Sequence, residues 1–350
     1  MRSERADNYA SSQTRRTRRL PCAELLRLGI EAGHISVMTA RKPLPPDFAH
    51  RPFASRAAVS AGVPVSRLAA ADLERPFHGV RQPREADQVA STLLHCRALA
   101  AVIRGDQFFS HETAAEMWGC PLPPSRSAQN PIHLTTAFPR QASRIDGVVG
   151  HRSNRSEFTH RHGLRVTTPE DTFLDVSARL SVPDLVAVGD HLILEPRVLD
   201  PNDLRPYTTV EKLALRGETF HGRGAVAAAS AIRQLRQGAA SRPETLLRLL
   251  LVDAGFDEPL TQQPIRDAAG KLVGYVDLLF PLERVAVEYD GEHHRTDSVQ
   301  YNHDVIRKEE LRQVLDGFVS VRKWELFGNR ASAVRRVRRA LDHARPGASR

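Results

Sequence analysis

Cysteine is scarce: Cys22, Cys96 and Cys120 are the only three in 350 residues, and they lie far apart. That spacing excludes a disulfide scaffold and the paired pattern of a zinc ribbon, and predicts reduced, structural thiols. No apolar run reaches the roughly 18 residues that a membrane-spanning helix needs. The Arg-rich start is not followed by the apolar core of a secretory signal, and Glu4, Asp7, Glu24 and Glu31 argue against an organellar transit peptide. The expected location is therefore the cytoplasm, with no membrane partner and no small-molecule cofactor. Histidine is present but lacks ligand spacing. His111, His133, His151, His160 and His162 form no HxxxH or HExxH pattern, which favours surface or internally bonded rings over metal ligands.

What the chain has instead is arginine. With 50 basic against 41 acidic residues it carries a net charge of +9, which favours a polyanionic partner, although an Arg-rich, Lys-poor, Ala-rich composition also follows from a GC-rich genome. Residues 1–46, with RRTRR and KPLPP, read as an unstructured tail holding at most a short helix over 23–33. Alternatively, Met38 is the true start.

The remainder divides into three segments of mixed α/β class. In residues 47–88, Ser55 can cap a short helix, Gly62 breaks it, VPVSRLAAADL offers a second helix and FHGVRQP a β-wing. That order fits a winged helix-turn-helix, or any helical hairpin. In the first case Ser66 and Arg67 start the groove-facing helix, and His78 and Arg81 lie on the wing. Residues 89–236 read as an α+β segment. VASTLLHCRALAAVI, SHETAAEMWG and the Thr168-capped TTPEDTFLDVSARL are helices, and PIHLTTAF and RIDGVVGHR are strands. Residues 241–345 give helix, strand, strand, helix, strand, helix, a small α/β domain.

The last segment carries the acids. GYVDLLF and RVAVEYD form a hairpin about Leu282 and Glu283, which sets Asp277 opposite Glu288 and places Asp290 on the same face. Like charges directly opposed on paired strands destabilise a sheet unless they share a proton, bind a divalent cation or point to water. Mg²⁺, with Mn²⁺ as substitute, suits carboxylate oxygens. Glu244, just after Pro243, could add a fourth acid or simply favour the helix dipole.

Residues 241–341 resemble the very-short-patch-repair-like branch of the PD-(D/E)XK nucleases. The matching stretches are SRPET, YVDLLFP, VEYDGEHHR, DVIRKEEL with Asp304 and Arg307, and VRKWE. The resemblance implies a restriction-endonuclease-like α/β domain in which Glu244, Asp277 and Glu288 hold Mg²⁺ for phosphodiester hydrolysis in DNA. The chain departs from the pattern at Asp290, where such enzymes often place lysine. Proton transfer would then fall to His294, or less readily to His293, with Asp290 binding metal or orienting the imidazole. Residues 50–195, notably FSHETAAEMWGCPLP and GLRVTTPEDTFLDVSARL, resemble the abortive-infection antitoxin regulators, which implies DNA binding and a cognate toxin or other protein partner. The chain thus reads as a metal-dependent DNA endonuclease targeted by its N-terminal region. The alternative is an antitoxin-like regulator with an inactive nuclease-like domain. The Arg-rich final helix, with Arg335, Arg336, Arg338 and Arg339, is a solvated face or a contact for DNA backbone.

Overall fold

The computed structural model describes residues 42–84, 91–124, 131–291 and 298–344, with the backbone alone for 298–303. The expected tail up to residue 41, the alternative start and Cys22 lie outside the described residues.

The first segment holds α1 (Pro46–Ala49), β1 (Phe53–Ala54), α2 (Ser55–Ser60), β2 (Leu73–Glu74) and β3 (Val80–Pro83), with the strands in the order β1-β3-β2. Gly62 ends α2 with a φ of +85°, as its position suggests. The second helix does not form. VPVSRLAAADL makes only a 3-10 turn over Arg67–Ala69, because Ala70 leaves it extended and Arg81 Nε takes the Leu68 carbonyl at 2.7 Å. Phe53, Ala58, Val63, Leu68 and Leu73 form a small core of their own.

The second segment runs α3 (Thr92–Ala100), β4 (Gln107–Phe109), α4 (His111–Met117), β5 (Ile132–Ala137), β6 (Val148–Ser153), β7 (Thr159–Arg161) and β8 (Leu164–Val166). The helices α5 (Pro169–Val176), α6 (Val182–Ile193), α7 (Val210–Glu218) and α8 (Ala225–Ile232) follow. Its sheet has the order β6-β5-β4-β8-β7, with β5 and β6 parallel. Thr168 caps α5 by accepting from Asp171 N at 3.2 Å. Leu99, Phe109, Leu134, Phe173, Leu185 and Leu192 are fully buried in one core, which also takes Val80 from β3 and Leu249 from the third segment. At Gly224, φ is +94° and a Cβ would meet Ser177 Oγ at 2.3 Å and Ala178 N at 2.5 Å. Gly224→Ala is therefore expected to lower stability by about 2–3 kcal/mol, from backbone strain and overpacking together, read as a depressed thermal midpoint.

The third segment contains α9 (Arg242–Asp253), β9 (Leu260–Arg266), β10 (Leu272–Phe280), β11 (Val285–Asp290), α10 (Ser298–Val314), β12 (Gly317–Arg322), α11 (Lys323–Phe327) and α12 (Arg330–Ala344). Its sheet has the order β12-β11-β10-β9; β10 is antiparallel to both neighbours, whereas β11 and β12 run parallel with α10 as the crossover. One face of the sheet packs Leu278, Val287 and Val321 against Leu247 and Leu251 of α9 and Val337 and Leu341 of α12. The other packs Val276 and Ala286 against Leu311 and Leu315 of α10. Each such leucine or valine contributes about 1.5–3 kcal/mol when fully buried. Two elements depart from the sequence reading. LTQQPIR is a strand despite Pro264, since β9 lies at the edge of the sheet, where a missing N–H is tolerated. The expected strand FVSVRKW ends at Arg322, where Glu325 accepts from the Arg322 N–H at 3.1 Å and starts α11.

Arg248 of α9 joins the second and third segments. Its side chain is 1% exposed and lies 3.1 Å from Asp190 of α6, which also accepts from Thr245 Oγ1 at 2.9 Å and Arg236 N at 2.8 Å.

Candidate active site

The hairpin has the register that the sequence suggests: Phe280 pairs with Val285, Leu279 with Ala286 and Leu278 with Val287. One step beyond the last paired residues, this register continued would bring Asp277 across from Glu288, and the Glu288 charge acts on it. Asp277 Oδ2 accepts from Tyr289 N at 2.9 Å, so it fills the place of a backbone carbonyl where the two strands part. Glu288 and Asp290 do share a face, the one covered by α10. Glu288 is buried there and held by Arg307 at 2.9 and 3.2 Å, and Asp290 lies 3.5 Å from Lys308 Nζ.

Glu244 approaches from α9, on the opposite face. It lies in the first turn behind the Ser241 cap, with Ser241 Oγ donating to it at 2.7 Å and Ala240 N at 2.9 Å. Gln262 then links it to the hairpin, its amide donating to Glu244 at 3.0 Å and to Asp277 at 3.2 Å. Gln262 has a φ of +50°, an unfavourable backbone for a non-glycine residue in a strand.

Asp277 carries the electrostatic strain of this arrangement. Burial and the adjacent Glu244 charge push its carboxyl up to about 7, with Glu288 adding to the rise and the Tyr289 N–H and Arg307 opposing it. Asp304 goes the other way. Despite the cost of its burial, hydrogen bonds from Lys308 and Arg307 hold it below the usual carboxylate range. The donors at Asp277, Glu288 and Glu244 are all oxygens, a set that suits Mg²⁺. These three acids are not, however, the group of metal-capable side chains that converges within 4.8 Å among the described residues; that group is His111, His133 and His151. Gln262 and Arg307 supply hydrogen-bond donors where a cation would serve the acids.

His293 and His294 lie outside the described residues. Lys308 and Gln262 were not singled out by the sequence reading. Lys308 lies 18 positions beyond Asp290 on a different element, so no local spacing reveals that it brings an ammonium to the acid that stands where lysine was expected. A cleft of about 750 Å³ runs from Asp290 past Lys308, Arg312, Arg322 and Arg336, with Trp324 56% exposed on its wall.

In the first segment, Arg67 forms a two-pronged pair with Asp72 at 3.0 and 2.7 Å, and Arg81 bonds the Leu68 and Val80 carbonyls. Ser66 precedes the 3-10 turn, and its carbonyl accepts from Ala69 N at 3.2 Å. Both arginines therefore brace this small module. In α12, Arg336 donates to Glu325 at 2.7 Å and Arg338 lies over the Phe256 ring. No helix among the described residues is long and apolar enough to cross a membrane. Compared with known proteins, the chain matches no family model, no curated protein and no solved structure.

Proposed function

We propose that the third segment is a Mg²⁺-dependent endonuclease that hydrolyses phosphodiester bonds in DNA. The observation that carries this reading is the Asp277 carboxylate, which parts two buried strands and is raised to about 7 by burial and flanking acids. A buried acid with neighbouring acids is costly to a fold, and perturbed groups of this kind gather at reactive sites. Asp277 and Glu288 would hold the metal, with Glu244 in support. Bound there, Mg²⁺ would neutralise charge developing on a phosphoryl group and favour attack by water. The basic cleft beyond Asp290 attracts the phosphate backbone, and Trp324 offers a face on which a base can stack. Lys308 places a positive charge near Asp290, where it can stabilise an anionic leaving group. A reach of DNA toward the first segment, and a protein partner such as a toxin, belong to the same reading.

A second reading is favoured by the Arg307–Glu288 pair, in which a guanidinium takes the position of a cation: a regulator whose nuclease-like domain binds without cutting. One experiment separates them. The protein is incubated with supercoiled, linear and mismatched DNA and Mg²⁺ or Mn²⁺. Nicking that Asp277→Ala abolishes supports the endonuclease. Metal-independent, salt-sensitive binding without cleavage overturns it in favour of the regulator.

A further inference from the structure

Three histidines that are 22 and 18 positions apart in sequence meet in the second segment. His111 opens α4, His133 lies in β5 and His151 in the adjacent parallel strand β6. A ring nitrogen from each falls within 4.8 Å of the others, and His133 Nδ1 is 2.9 Å from His151 Nε2. We propose that these three imidazoles bind one divalent transition-metal ion of the Zn²⁺ class, independently of the acidic site in the third segment.

Four features support this. The donor chemistry is right: three neutral imidazoles are a common tripod for Zn²⁺ and leave one position open. His133 is buried, which shields this side of the trio from solvent. Carboxylates stand behind the rings, Glu112 Oε2 at 3.4 Å from His133 Nε2 and Asp175 Oδ2 at 3.6 Å from His111 Nδ1, an arrangement that orients ligating histidines. Glu112 Oε2 is buried and makes no hydrogen bond of its own. His111 also holds a φ of +52°, a backbone strain that presents its ring to the other two.

The rings of His111 and His151 are stacked at 3.6 Å and 12°, and two parallel rings cannot both point their lone pairs at one ion. Loading therefore turns at least one ring about its side-chain bonds, which brings the nitrogens onto a sphere of about 2 Å radius around the metal. Beside the rings lies a cavity of about 160 Å³, reached by His111, His151, Arg152, Arg155 and Asp175. This space admits water or a small anion, which the arginines would attract.

The test uses the full chain, stripped with a chelator and titrated with Zn²⁺ against a chromophoric competitor, and separately with Co²⁺ in a visible spectrometer. One equivalent of Zn²⁺ and the d–d bands of a tetrahedral Co²⁺ complex are expected. His151→Gln should weaken Zn²⁺ binding by at least about 100-fold, and Glu112→Gln by about 10-fold or more. Asp277→Asn should leave it unchanged. Circular dichroism shows whether each variant is folded, and a Zn²⁺-induced rise in the wild-type melting temperature supplies a readout that needs no variant. The proposal is overturned if the wild-type chain takes up no stoichiometric Zn²⁺, or if folded His151→Gln binds it as tightly as wild type.

Discussion

Arg248→Met is expected to destabilise the protein by about 3–5 kcal/mol, measured by urea unfolding at neutral pH. The guanidinium is 1% exposed and bonds Asp190, Glu258 and the Gln234 carbonyl, so its removal strands a buried carboxylate without a cation. Burial already pushes Asp190 up to about 6 even with Arg248 opposing that rise. Without the arginine the carboxyl must either stay ionised in an apolar setting or take up a proton at neutral pH. The double variant Asp190→Leu with Arg248→Met should recover much of the loss, because an apolar pair removes both desolvation costs. A double variant as unstable as the single one would show that shape, and not charge, sets the cost.

Asp277→Asn should separate chemistry from stability. Cleavage is expected to fall by about 10³-fold, on the order of 4 kcal/mol of lost transition-state stabilisation, because an amide is a poor ligand for Mg²⁺. Stability of the metal-free protein should move the other way. The folded-state value of about 7 lies above the ordinary 3.8, so the native state binds the extra proton between those limits. That contribution is complete below about pH 4 and lost as pH rises through 7. An asparagine cannot ionise and retains an oxygen for the Tyr289 N–H, so in chelator at about pH 8.5 the variant should be more stable than wild type by on the order of 4 kcal/mol. Near pH 4 the two should converge. Parallel stability profiles across that range would show that Asp277 does not carry the titration.

Much of the third segment was legible because the acids interrupt a hairpin whose apolar pattern fixes its register. Strands of period two joined by a short turn leave one alignment that buries Leu278 and Val287 together, and the same alignment continued sets Asp277 against Glu288. The sequence could not show that the Asp277 carboxylate turns into the gap between strands, since that depends on how far the strands splay. Pro264 hid β9, because its compatibility with a strand depends on an edge position that only the assembled sheet defines. The second helix of the first segment failed for a tertiary reason: Arg81, from a later strand, captures a carbonyl of the turn. Gln262 reaches the acids from β9, and Arg307 and Lys308 reach them from α10, so no local spacing ties them to the hairpin. The three histidines could be named but not grouped for the same cause, since they stand on a helix and two strands without ligand spacing between them.

On α9, Glu244 and Arg248 are one turn apart, the first facing the acids and the second anchored in α6. A helix is stiff over so short a distance, so displacement of α6 pulls on the carboxyl network like a lever on a fulcrum. Isolation of residues 241–350 would cut that linkage and leave the buried arginine without Asp190. Dissection of this chain should therefore begin its C-terminal fragment ahead of α6 and keep the anchor with the acids it steadies.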